Sequence, residues 1–301
     1  MRITSQIISQ NFIRNLDDHL VRLNRYQEEI SSGKRVNKPS DDPFDASRII
    51  EIMHQLKLND QYKRNIQDGL QRLNETENYL NDLQNLVTRS KDLAIQGANG
   101  TLSKDDLNGL SKEVNQILEQ VASISNKKSF DEYIFGGTYG KVPFKIERDE
   151  NGDITAVTGA GSVDGKIYRQ IGTDKQTIVN IDNKDLFTGD QTVFDDLIQL
   201  RDALKEKGQG EAITDAIGNL KSRLDVLVDR ISEIGVRINS IDDQKNMIDE
   251  ENMTLKQFLG DIQDTDIAQT YVYYQQEQIA YQAALQAGGQ LLQQSFVNFL
   301  R

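Results

Sequence analysis

Apolar residues recur in the second half of the chain at alternating steps of four and three: Ile213, Ile217, Leu220, Leu224, Leu227, Ile231, Ile234, Ile238 and Ile241. That period is the seam of a coiled coil, in which apolar knobs at two heptad positions meet a partner helix. The register continues past Lys245 to Ile248, past Asn252 to Leu255, and on to Leu259 and Ile262. It predicts one helix about 75 Å long, at roughly 1.5 Å per residue. Such a helix needs long partners. Leu107, Leu110, Val114, Ile117, Val121 and Ile124 supply one, and Ile66, Leu70, Leu73, Leu80 and Val87 another, with Glu77 and Gln84 at two unfilled seam positions. The interruption after Asn99-Gly100 is short enough to make these two helices antiparallel neighbours, so the pattern predicts a helical hairpin closed by the Ile213 helix.

Between Tyr133 and Thr192 the heptads give way to glycines. Phe144 to Ile146, Ile154 to Val157 and Thr177 to Ile181 are expected strands, with Asn151-Gly152 as a hairpin turn. This middle reads as a small β-rich insertion with too little apolar content for a large core.

Both chain ends predict long amphipathic helices. One has a seam of Leu16, Leu20, Leu23, Gln27 and Ile30; the other runs through Val272, Gln276, Ile279, Ala283, Ala287, Gln290, Gln294 and Val297, with a stutter between Ala283 and Ala287. Residues 267 to 300 carry a single charge, Glu277, among many Gln and Ala. A face of that kind suits packing against helices on several sides better than exposure to water. The ends are therefore expected to be mobile in a lone subunit and buried by neighbours. Leu16, Leu20, Leu23, Ile30, Val272, Ile279, Ala283, Ala287, Leu291 and Val297 are the candidate assembly interface.

Composition narrows the chemistry. With no Cys and two His in 301 residues, a disulfide framework, a thiolate site or a zinc centre has no ligands. A net charge of -12 repels phosphate backbones and anionic membranes, and no basic patch overrides it. No apolar stretch reaches the length of a membrane span, and the N-terminus lacks the pattern of a cleaved signal, so a route out of the cell would not cleave one. The glycines from Gly159 to Gly165-Lys166 miss both nucleotide-loop patterns, and Asp149, Asn151 and Asp153 lack the glycine and glutamate that complete a calcium loop. The acidic pairs Asp41-Asp42, Asp105-Asp106, Asp195-Asp196 and Asp242-Asp243 are expected to cap helices and face solvent. No catalytic residue, cofactor site or metal site is expected.

One local signal is sharper. In Ser31-Ser32-Gly33-Lys34-Arg35-Val36-Asn37-Lys38-Pro39-Ser40-Asp41-Asp42-Pro43, Gly33 is placed to stop a helix, and Asp42 precedes Pro43 as N-cap and first-turn proline of the next. Gly33, Arg35, Asn37, Asp41, Asp42 and Pro43 are the candidate joint between an end helix and the bundle.

This joint resembles the flagellin superfamily, bacterial axial proteins whose two chain ends pair and stack into a tube. Glu233-Ile234-Gly235-Val236-Arg237-Ile238-Asn239 and the Ala- and Gln-rich end resemble it too. Within it, Lys38 to Pro43 and Tyr133-Ile134-Phe135-Gly136-Gly137-Thr138 are more similar to the branch at the junction of hook and filament than to filament subunits. The resemblance implies a structural subunit, exported unfolded by a type III apparatus without signal cleavage. It implies as partners identical copies in a ring, a neighbouring hook-associated protein, flagellin and an export chaperone, with no nucleic acid and no membrane. A filament subunit is the alternative within the fold; a cytoplasmic coiled-coil binding module is the alternative outside it. The expected fold is mainly α, a long antiparallel helical bundle from both chain halves with a β-rich insertion. The expected domains are 1 to 42 with 265 to 301 for assembly, 43 to 132 with 193 to 264 for the bundle, and 133 to 192 for the insertion.

Overall fold

A computed structural model describes residues 2–129, 131–150, 152–161, 163–206 and 210–299. The chain divides into two compact units, a terminal unit of Met1–Leu58 with Glu250–Arg301 and a middle unit of Asn59–Asp249. Among the described residues the helices are α1 (Arg2–Ser32), α2 (Pro43–Gly97), α3 (Lys104–Ser125), α4 (Val193–Lys205), α5 (Gly210–Gln263) and α6 (Ile267–Phe299).

In the middle unit the heptads become the core. Along α5, Ile213, Leu220, Leu227, Ile234 and Ile241 are buried at seven-residue intervals, while the alternate seam positions Ile217, Leu224, Ile231 and Ile238 are half-buried. The same holds for α2, where Ile66, Leu73, Leu80 and Val87 are buried and Leu70, Glu77 and Gln84 lie at the edge. One heptad position thus points at the centre of the bundle and the other at its rim, which explains how polar residues are accommodated there. In α3 the expected Leu107, Leu110, Val114, Ile117 and Val121 are all buried.

Helix starts follow from side chains that satisfy otherwise unpaired amides. Ser103 and Asp106 form a reciprocal capping box on α3, and Thr192 and Asp195 form another on α4. The heptads do not announce α4. Its buried face of Val193, Phe194, Leu197, Leu200 and Leu204 packs close against α3.

The middle segment forms three separate antiparallel hairpins: β1 (Lys128–Ser129) with β2 (Glu132–Tyr133), β3 (Phe144–Arg148) with β4 (Ile154–Gly159), and β5 (Tyr168–Gln170) with β6 (Gln176–Ile178). Two expected strands pair as read, with Ile146 opposite Val157. Gly152 has φ +88° in their turn, a conformation that favours glycine, and Asn151 lies outside the described residues. The third expected strand is shorter than Thr177 to Ile181, ending at Ile178. Beyond it, side-chain amides replace ladder bonds. Asn180 receives the Ile167 amide at 2.8 Å and donates to the Gly165 carbonyl at 2.9 Å, while Asn183 donates to the Phe135 and Val163 carbonyls at 2.8 and 2.7 Å. Phe135, Phe144 and Phe187 join Phe194 of α4 in one buried ring cluster, with centroid separations from 5.1 to 6.1 Å. The insertion's rings therefore share a core with a bundle helix rather than forming their own.

The expectation that all four acidic pairs face solvent is corrected at Asp196. Its neighbour Asp195 caps α4, but Asp196 is 0% exposed. It accepts hydrogen bonds from Arg223 Nε of α5 at 2.9 Å and from Gln191 Nε2 at 2.6 Å. The two carboxylates lie on different sides of α4, one at its cap and one in the core, because successive helical residues are about 100° apart.

Candidate assembly interface

The terminal unit contains α1, α6, the start of α2 and the end of α5. Its joint is built from the backbone outward. Gly33 leaves α1 with φ +71°, and its amide donates to the Glu29 carbonyl at 2.9 Å, the left-handed stop that ends many helices. Lys34 then pairs with Asp264 in an isolated antiparallel bridge. The Arg35 amide donates to the Gln263 carbonyl at 2.7 Å, and the Thr265 amide to the Gly33 carbonyl at 3.0 Å. The turn between α1 and α2 is thereby fastened to the turn between α5 and α6.

Side chains complete the joint. The Arg35 guanidinium donates to the Asp45 carboxylate and to the Ile262 carbonyl, the latter at 2.9 Å, with Asp42 at 3.7 Å. The hydrogen bond to Asp45 raises the Arg35 pKa. Asp41 accepts from the amides of Asn37 at 3.0 Å and Lys38 at 2.9 Å, and Asn37 Nδ2 donates to the Lys34 carbonyl. Asp42 accepts from the amides of Phe44 and Asp45, the N-cap of α2, with Pro43 at the first helical position. Under these polar contacts Val36 packs with Ala46 and Ile49 of α2 and Leu259 and Ile262 of α5. All six joint residues singled out in the sequence are thus brought together. The break between α5, which ends at Gln263, and α6, which starts at Ile267, falls at the expected boundary between 264 and 265, and Asp266 caps α6 by accepting from the Gln269 amide.

From the joint, α1 and α6 run antiparallel. Tyr26 meets Tyr273 with ring centroids 6.0 Å apart, Arg22 Nε donates to Glu277 at 2.8 Å, His19 also contacts Glu277, and Phe12 lies over Gly288. A Cβ on Gly288 would come within 1.9 Å of the Phe12 ring, so any larger residue there would push that ring aside. The face of α6 turned inward is Thr270, Tyr274, Glu277, Tyr281, Ala284 and Gly288, each buried or half-buried, at steps of four and three. This is not the seam expected from the sequence. Val272, Ile279, Ala283 and Ala287 are exposed, Ile279 by 65%. On α1, Leu16, Leu23 and Ile30 are half-buried and Leu20 is exposed. The side chains of Leu291 and Val297 lie outside those described.

Three carboxylates of this unit are held below their ordinary pKa. For Asp41 the main cause is the Lys38 amide, and for Asp42 the Asp45 amide. Burial pushes Glu277 upward, but hydrogen bonds from His19 and Arg22 outweigh it. A carboxyl depressed in the folded state stabilises it fully above the unfolded pKa and loses that contribution as pH falls through the folded value. The ring resonances of Tyr26 and Tyr273 should therefore report no loss of pairing from pH 7 to about 5 and loosening below about 4. Loss of pairing already near pH 6 would contradict this assignment.

Residues 3–139 match the family described as the bacterial flagellin N-terminal helical region. The chain is 24% identical over 305 residues to flagellar hook-associated protein 3 of Escherichia coli (strain K12), covering 95% of this chain and 96% of that protein. It is 31% identical to polar flagellin F of Vibrio parahaemolyticus over 134 residues, covering 44% of this chain and 36% of that one. The crystal structure of Bacillus cereus FlgL superimposes with a TM-score of 0.57 and 26% identity, covering 70% of this chain and 99% of that one.

Proposed function

We propose that this chain, which belongs to the flagellin superfamily and is similar along nearly its whole length to hook-associated protein 3, is a structural subunit of the bacterial flagellum that joins hook to filament. It is exported to the growing appendage and works outside the cell. It assembles there through its paired terminal helices, with identical copies as lateral neighbours, a hook-associated protein on one side and flagellin on the other. The observation that carries this reading is the extent of the likeness: the hook-associated protein aligns end to end, whereas the flagellin alignment covers less than half of the chain. The role is architectural rather than catalytic.

The terminal unit supports a role in assembly. Val272, Ile279, Leu285, Val21 and Ile13 are all at least 45% exposed on α6 and α1. Apolar surface left in water is stabilised when covered, at roughly 25 cal/mol per Å², and identical copies side by side provide that cover. Antibody labelling of isolated appendages tests the placement. One narrow band between hook and filament is expected. Label along the filament would identify a filament subunit instead, and label confined to the cytosol would favour a coiled-coil binding module.

A further inference from the structure

We propose that Glu277 is the positioning residue that decides which face of α6 turns toward α1, and hence which face is left to meet other copies. The proposal rests on the assembly reading for the use of the outward face, but the selection of the face itself does not. Hydrophobicity alone cannot orient α6. Its sequence from Ile267 to Phe299 is Ala, Gln, Tyr and aliphatic residues on every side, with Glu277 as the single charge. Several rotations about its axis would bury similar apolar area, so burial by itself gives little preference among them, and the close approach of Phe12 to Gly288 fixes only the far end.

Glu277 breaks that degeneracy. It contacts both His19 and Arg22 one turn apart on α1, and its side chain is 16% exposed. Turned outward, it would leave these partners. Turned inward within a copy-to-copy interface, it would be a buried carboxylate without cations. A single polar residue in a helix seam is known to select register and partner at some cost in stability. At about 100° per residue, Val272, Ile279 and Ala283 lie roughly 120° to 160° around the helix from Glu277. Fixing Glu277 against α1 therefore directs that apolar stripe outward.

The chain has no cysteine, so introduced pairs report facing cleanly. Tyr26→Cys with Tyr273→Cys reads the observed facing, since these two rings meet at the edge of the inward face, and Tyr26→Cys with Val272→Cys reads a rotated one, both in dilute full-length protein at pH 8. With Glu277 present, the inward pair should cross-link roughly tenfold faster or more, as expected for charge-assisted hydrogen bonds. In Glu277→Leu the ratio should fall toward one without loss of helical circular dichroism. Should that variant lose helicity, the isosteric Glu277→Gln decides by the same ratio. The charge exchange Arg22→Glu with Glu277→Arg should restore the preference. An unchanged ratio in the deciding variant, or failure of the exchange to restore it, overturns the proposal. Because the ratio is read on isolated protein, its failure is distinct from a failure of the labelling experiment.

Discussion

Ala283→Glu should abolish joining of hook and filament while leaving the isolated subunit folded. Ala283 is exposed on α6, away from the side that meets α1, so the new carboxylate is hydrated in the free chain. Exchanging Ala for Glu within a helix costs only a few tenths of a kcal/mol in intrinsic propensity. Covering the same position with a second copy is another matter, because a carboxylate removed from water without a partner costs several kcal/mol. Each 1.4 kcal/mol is about a tenfold loss in association. The checks are helical circular dichroism and melting temperature, expected unchanged, and restoration of filaments in cells lacking the native chain, expected to fail. Ala283→Gln, neutral like the residues around it, should restore them. Filament formation with Ala283→Glu would remove this stripe from the interface.

The largest stability effect should come from Asp196. Burial pushes its carboxyl upward in pKa despite the adjacent Arg223, an indication that solvent contributes little to holding the charge. Asp196→Ala leaves the Arg223 guanidinium, on a residue 8% exposed, without its counter-ion. Removing one partner of a buried pair typically costs about 3–5 kcal/mol, whereas replacing both by apolar side chains of similar volume is often nearly neutral. Thermal unfolding of the full chain should show the middle unit melting on the order of 10 °C lower for Asp196→Ala. Asp196→Leu with Arg223→Met should recover most of that loss. A single substitution costing less than about 1 kcal/mol would mean that water enters the site.

The long helices were legible because their seams contrast with charged flanks. Ile213 to Ile241 alternate with Lys, Arg and Asp, and the periodicity read there is the burial seen in α5. The joint was legible through residues with fixed conformational roles, Gly33 as a helix stop and Asp42-Pro43 as a helix start. The inward face of α6 was not, for the opposite reason: without charges along its flanks, several stripes read as equally good seams. Glu277 stood out as a lone charge, yet its direction depends on His19 and Arg22, whose interactions with it span sequence separations of 258 and 255. Asp196 escaped for a similar reason, since nothing in an Asp-Asp pair tells which carboxylate will find an arginine on another helix. The ring cluster was dispersed, with Phe135, Phe144, Phe187 and Phe194 each in a different local context.

The backbone bridge between Lys34 and Asp264 has a consequence for how the two ends come together. Closing a flexible loop across the 227 positions from Arg35 to Ile262 costs roughly 5 kcal/mol in chain entropy, whichever contact closes it first. Once the bridge exists, α1 and α6 start side by side, as the arms of a hairpin do. Tyr26 then reaches Tyr273 without a second long closure, and Arg22 reaches Glu277 one turn later. Each further contact outward from this hinge then closes only a short loop, and Phe12 against Gly288, the farthest of those named, depends most on the contacts before it.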